Sequence, residues 1–237
     1  LLDQTPFYAE SGGQIGDKGT IKGKNIDLQV LDVKKEGEMF LHICKGNIAE
    51  NSKVKCKVSK KRRNSIKRNH TATHLLHKAL KIVLGEHVNQ AGSLVHSDYL
   101  RFDLTHFEKI KRSEIFEIET IVNKEILRNK KLNVSIQKYE DAKKMGSEAL
   151  FGEKYGDEVR VVKVGDFSNE LCGGTHVNRS GDIGSFKITD ESSLASGVRR
   201  IQAVTGPQSL VEMQDNALTL NKLQALLNEP KIKLIER

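Results

Sequence analysis

Two pairs of residues in this 237-residue sequence are spaced to share a metal ion. The first is His70 and His74, in Asn69-His70-Thr71-Ala72-Thr73-His74-Leu75-Leu76. On a helix, residues four apart lie one above the other on the same face, so both imidazoles can meet one cation. The second is Cys172 and His176, in Leu171-Cys172-Gly173-Gly174-Thr175-His176, with the same spacing. Together they offer three imidazoles and one thiolate, a set that suits borderline-soft zinc. Four protein ligands usually make a structural zinc site, and a catalytic one keeps a position open. The sequence leaves both open. Either pair alone is ordinary, since His-x3-His is common on amphipathic helices that bind nothing. The metalloprotease pattern is excluded, because Thr71 stands where that pattern needs a general-base glutamate.

Other residues could serve chemistry near such a site. Thr73 lies between the histidines, and Gln90 and Ser93 follow the helix. They are candidate pocket-lining groups, or ordinary helix and turn polarity. Gly12-Gly13, within the run from Thr5 to Gln14, permits either close backbone approach to a ligand or a plain hairpin turn. Lys60, Lys61, Arg62, Arg63, Lys67 and Arg68 lead into the histidine helix. Cations at a helix N-terminus oppose the macrodipole, which points to a phosphate backbone nearby or to a solvated linker face. No paired-carboxylate or Ser-His-Asp pattern supplies a general base.

The elements that must position these residues follow from periodicity. Ile66, Ala72, Leu76, Ala79, Leu80 and Val83 recur at threes and fours, and Gly85 is placed to end that helix. Before it, residues 3–58 read as β. Short runs such as Ile26 to Val33, Met39 to Ile43 and Val54 to Val58 are punctuated by glycine and asparagine, and a small barrel is expected. After it, Tyr99 to Leu104 alternates as a strand, Ser113 is the expected cap of a helix with the stripe Ile115, Ile118, Val122 and Ile126, and Val134 to Ile136 resumes the sheet. A short helix over Glu140 to Met145, a strand over Val159 to Val164, and strands over Ile183 to Ile188 and Val198 to Val204 complete the reading. Without regular βαβ alternation, the expected class is α+β: a small N-terminal β-barrel, then a layered domain with a mainly antiparallel sheet, then a C-terminal helix. The expected boundaries are 1–58, 59–205 and 206–237, with Gly206-Pro207 as the punctuation. Beyond it, Leu210, Met213, Ala217, Leu220, Gln224 and Leu227 step by three and four, a heptad seam of under three repeats.

Composition bounds the class. No apolar run reaches transmembrane length and no signal peptide opens the chain, so a cytoplasmic protein is expected. Cys44, Cys56 and Cys172 are too few and too scattered for a disulfide framework. The net charge of +8 favours a polyanionic partner, or reflects a lysine-rich composition throughout. The chain begins with Leu1 inside a strand-and-turn pattern and is read as a piece of a longer protein.

The runs Asn69 to Leu76 and Leu171 to His176 resemble the editing domain of alanyl-tRNA synthetase. So do Gln90-Ala91-Gly92-Ser93-Leu94-Val95, Leu150-Phe151-Gly152-Glu153-Lys154-Tyr155-Gly156 and Gly197-Val198-Arg199-Arg200-Ile201, and the motifs keep the same order from about Asp3 to Gly206. The resemblance implies deacylase activity within an alanine–tRNA ligase: hydrolysis of seryl and glycyl esters on the tRNA of alanine specificity. It implies one zinc ion held by His70, His74, Cys172 and His176. It implies catalytic roles for Cys172, Gln90 and Thr73, and substrate contacts from Thr73, Gln90, Ser93, Gly12, Gly13 and Arg68. A helical linker to a C-terminal oligomerisation domain would follow Gly206, so a homo-oligomer through that domain is expected. The motifs of alanine activation are not recognisable in the chain. A free-standing or threonyl-type deacylase is close, although Cys172 to His176 matches the alanyl form better. A zinc-stabilised RNA-binding module without catalysis is the alternative from another class.

Overall fold

A computed structural model describes residues 2–49, 52–149 and 156–227. The first strands are β1 (Gly19–Gly23), β2 (Ile26–Glu36), β3 (Met39–Asn47) and β4 (Val54–Val58). They pair antiparallel in the order β3-β2-β1-β4. The sheet buries one face on Phe7, Ala9, Ile21, Ile26, Leu28, Val30 and Val33. The strict alternation of β2 breaks at a bulge between Val30 and Asp32. One extra residue reverses the pleat phase. That is why Leu31 is 39% exposed while Val33 is fully buried. The expected small barrel takes the form of an open sheet: no ladder joins β3 to β4 among the described residues. β4 has only five residues, and all five pair with β1.

The helix α1 (Lys60–Leu84) runs through the middle of the molecule. Gly85 ends it, its N–H donating to the Lys81 carbonyl. Ile66, Ala72, Leu75, Leu76, Ala79 and Leu80 are buried without remainder, each large side chain worth roughly 1.5–3 kcal/mol of transfer from water. The same helix also buries Asn69, His70, Thr71, Thr73, His74 and His77. Burying polar groups costs free energy unless they find partners, so this face marks a site rather than packing alone.

Around α1 stand β5 (Gln90–Val95), β6 (Leu100–Thr105), α2 (Arg112–Leu127), β7 (Leu132–Lys138), α3 (Tyr139–Lys144), β8 (Glu158–Val164), β9 (Ser168–Leu171), β10 (Phe186–Ala195) and β11 (Val198–Thr205). They form two antiparallel sheets, β10-β11-β6-β5 and β7-β8-β9. The architecture is α+β with antiparallel sheets, as the sequence predicts. Phe102, Phe186, Leu100, Leu104, Ile118 and Ile126 fill the main core between α1, α2 and the larger sheet. The cap of α2 differs from expectation: Lys111, not Ser113, is the N-cap, and Glu114 accepts from the Lys111 N–H at 2.7 Å. The carboxylate satisfies the N-cap amide, the reciprocal half of a capping box, and Ser113 lies inside the first turn. The described residues end with α4 (Pro207–Leu227), on which Leu210, Met213 and Leu227 are 54%, 44% and 50% exposed.

The N-terminal sheet is tied to the rest by polar contacts. Arg63 forks onto the Asp17 carboxylate and reaches the Pro6 carbonyl, and Arg62 donates to the Gly16 carbonyl at 2.7 Å. Residues 11–14 form a two-residue hairpin, with Gly12 and Gly13 at φ 54° and 77°. Such a turn needs positive φ at both central positions. A Cβ on Gly13 would also stand 2.6 Å from the Ser93 carbonyl oxygen. The turn docks on β5, where Val95 donates to the Gly13 carbonyl at 2.7 Å.

Candidate metal centre

Helix α1 presents His70 and His74, and the loop after β9 presents Cys172 and His176. One donor atom from each lies within 4.8 Å of the others, and all four residues are buried. Cys172 Sγ is 3.3 Å from His70 Nε2 and 3.2 Å from His176 Nε2. The loop comes this close because Gly174 has no side chain: a Cβ there would collide with the His70 ring and stand 2.9 Å from Gln14 Oε1. Arg160 on β8 fixes the loop from behind, donating to the carbonyls of Cys172 at 2.6 Å and Gly174 at 2.8 Å.

The surroundings fit a metal ion. Histidines that ligate metals generally engage their second nitrogen with an outer partner, which fixes tautomer and orientation. His70 Nδ1 is 2.7 Å from Gln14 Oε1, and His176 Nδ1 is 3.2 Å from Thr71 Oγ1. Both rings therefore turn Nε2 toward the thiol. His74 Nε2 stands 3.6 Å from the buried Glu170 carboxylate, and its Nδ1 is buried with no hydrogen-bond partner among the described residues. A buried nitrogen left without a proton partner is costly unless a cation or water satisfies it.

The electrostatics favour the ligating protonation state. Burial holds His70 well below its ordinary pKa, with His74 and Arg160 adding to the effect. Burial does the same for His176, reinforced by His70 and His74. His74 is lowered by burial, against an opposing pull from Glu170. The three imidazoles are thus neutral near neutral pH, as metal binding requires. Burial pushes the Glu170 carboxyl up, but His74 and His77 outweigh it and hold the group below the usual carboxylate range. Glu170 thereby remains an acceptor, touching His77 Nδ1 at 3.4 Å as well as His74. The Glu170→Gln variant keeps the shape and removes the charge. It is expected to lower metal affinity about 10–100-fold, as loss of an outer partner generally does, in a titration followed by cobalt(II) absorbance. Unchanged affinity would show that Glu170 does not orient His74.

The other expected site residues fall into two groups. Gly12 and Gly13 form the turn that delivers Gln14 to His70, and Ser93 lies against that turn on β5. Gln90 begins the same strand, half-buried. Thr73 is buried on α1, with its hydroxyl proton committed to the Asn69 carbonyl at 2.9 Å. Arg68 stands apart: Nη2 donates to Ser65 Oγ, and the side chain runs toward Gly206. Of the glutamate-containing motif at 150–156, only Gly156 falls within the described residues. Sequence reasoning missed Gln14, Thr71, Arg160 and Glu170. Thr71 and Gln14 adjoin named motifs, but nothing local distinguishes Arg160 or Glu170 from other charged residues on strands.

A cleft of about 1010 Å³ opens beside the centre, lined by Tyr8, Ser11, Phe40, Arg63, Gly173 and Thr175 among others. Gly173 has open space where a Cβ would point.

Two parts of the chain match known families. Residues 159–202 match the family described as the threonyl and alanyl tRNA synthetase second additional domain, and residues 1–62 match the family of class II (A) tRNA synthetases. More particularly, the resemblance to alanyl-tRNA synthetase extends over the whole chain. It is 50% identical over 239 positions to the alanine–tRNA ligase of Pseudoalteromonas translucida, and 52% over 240 positions to that of Francisella tularensis subsp. mediasiatica. The enzyme of Acetivibrio thermocellus is 51% identical over 243 positions. The chain is covered completely in each comparison and spans about 28% of each relative.

Proposed function

We propose that the chain is a zinc-dependent editing module that hydrolyses the ester between serine or glycine and the tRNA of alanine specificity. The observation that carries this reading is the buried cluster of His70, His74, Cys172 and His176, with the second nitrogens of His70 and His176 engaged, beside an open cleft. An activating pocket sized for alanine rejects smaller glycine and hydroxyl-bearing serine by only about 10², so a second hydrolytic site is needed. Water adds to the ester carbonyl carbon, the bond to the ribose oxygen breaks, and that oxygen takes the proton, leaving free amino acid and intact tRNA. A bound zinc ion would supply Lewis-acid stabilisation of the carbonyl oxygen. Gln14 and Thr71 hold the rings of His70 and His176 in place, and the Gly173 edge leaves room for the ester. Thr73, Gln90 and Ser93 are assigned to substrate selection, from positions outside the cleft lining.

The division is proposed as 1–58, 59–205 and 206–237, with the exposed apolar residues of α4 available to further chain or to a second copy. Among the described residues no helix is long and apolar enough to cross a membrane. One observation favours the non-catalytic reading: all four donors are protein side chains, the usual structural set. A deacylation time course on seryl-tRNA of alanine specificity, with and without chelator, separates the two. The expected result is hydrolysis that chelator abolishes and zinc restores. Tight zinc binding without hydrolysis would leave a structural zinc module and overturn the editing assignment.

A further inference from the structure

The three arginines of the basic run expected to meet phosphates are engaged within the fold. Arg62 and Arg63 staple the N-terminal sheet to α1, and Arg68 turns toward Ser65 and Gly206. An adjoining surface, which shares Lys60 and Arg62 with that run, carries uncompensated charge. A cleft of about 920 Å³ on the outer side of the N-terminal sheet is lined by Lys18, Lys22, Lys55, Lys57, Lys60 and Arg62, with Asp27 as its one acidic residue. Lys22 pairs with Asp27 at 3.1 Å. Lys18, Lys55, Lys57 and Lys60 have no ion pair among the described residues.

The strand register concentrates this charge. Lys22 on β1 lies directly opposite Lys55 on β4, and Thr20 opposite Lys57. Lys55 and Lys57 are exposed while Val54, Cys56 and Val58 between them turn partly inward, so both lysines share the outer face. Like charges placed opposite each other across a ladder weaken the sheet. An anion seated between them reverses the sign of that interaction.

We infer that this cleft seats the sugar–phosphate backbone of RNA, and this rests on the proposed tRNA substrate. The position suits that role. Lys18 is four positions along the chain from Gln14, the residue that holds His70, so the rim of the cleft lies within roughly 14 Å of the metal centre's outer partner. A strand lying across β1 and β4 can therefore send its end toward the donor cluster. Leu31 and Gln29 on the cleft wall present no acidic group to repel it.

The test compares the parent chain with the triple variant Lys22→Ala, Lys55→Ala, Lys57→Ala. A control triple removes three exposed lysines elsewhere: Lys109→Ala, Lys143→Ala, Lys144→Ala. Fluorescence anisotropy with tRNA of alanine specificity is measured across potassium chloride concentrations. Each phosphate contact adds roughly 0.7–0.9 to the log–log salt slope. The cleft variant is expected to lose about two units of slope, and the control none. The control is expected to unfold at the parent temperature and the cleft variant at or above it, and zinc content is expected to stay at the parent value in both. Equal slopes in parent and cleft variant overturn the inference, even where the parent hydrolyses seryl-tRNA. Lysine-dependent binding to phosphatidylserine vesicles without RNA binding also overturns it. RNA binding that depends on the cleft, in a chain that fails to hydrolyse the ester, supports the inference and removes the editing assignment instead.

Discussion

Replacing Cys172 with alanine is expected to remove stoichiometric zinc and to slow seryl-tRNA hydrolysis by at least about a hundred-fold. Loss of an outer partner alone costs up to that factor, and the thiolate is proposed as a direct donor. Sγ lies within 3.3 Å of two imidazole nitrogens, so its removal breaks the cluster at its centre. The loop itself should persist. Its position depends on backbone groups: Cys172 N–H donates to the Arg160 carbonyl at 2.9 Å, and Arg160 Nη1 returns a bond to the Cys172 carbonyl. The change in volume is small, and the residue lies at the margin of the main core, 8% exposed. Elemental analysis of zinc per chain, circular dichroism and a deacylation time course on the same preparation separate metal loss from unfolding. A variant that retains one zinc per chain and the parent rate would remove Cys172 from the site.

Gly174→Ala is expected to be nearly as damaging, although it adds one methyl group and removes no donor. That methyl would overlap the His70 ring, which cannot retreat because Gln14 holds its Nδ1 and the buried walls of α1 surround it. Overpacking of this kind costs typically 1–3 kcal/mol in stability. Its larger effect is on the metal, because His70 Nε2 must leave its place beside Cys172. Zinc affinity is expected to fall by a hundred-fold or more, which is about 2.7 kcal/mol. Gly173→Ala is the matched control, since its added methyl meets nothing within 4 Å. It is expected to leave stability within about 0.5 kcal/mol and zinc affinity unchanged. Because Gly173 lines the open cleft, slower hydrolysis with intact zinc in that variant would locate the ester's approach. Equal zinc affinity in the two variants would contradict the close packing of Gly174 on His70.

Local regularities of the chain determined much of the architecture. The threes and fours from Ile66 to Val83 and the terminal Gly85 define α1, and they place His70 and His74 on one face because helical geometry repeats whatever surrounds it. Alternation defines β2 and β6 to within a few residues, since a half-buried strand must segregate its side chains by face. The pairing of His-x3-His with Cys-x3-His already named a zinc-type donor set.

What the sequence did not contain was everything that depends on approach between distant segments. The phase of β2 at Leu31 and Val33 follows from a bulge against its partner strand. The capping of α2 went to a carboxylate whose reach depends on backbone angles. Gln14 meets His70 across 56 residues, Thr71 meets His176 across 105, and Glu170 and His77 are 93 apart in the chain. No periodicity encodes such meetings. The donors were legible because their spacing is short and helical. Their outer partners were not, because a hydrogen bond between remote residues is decided only when the sheets and α1 pack and fix the last few ångströms.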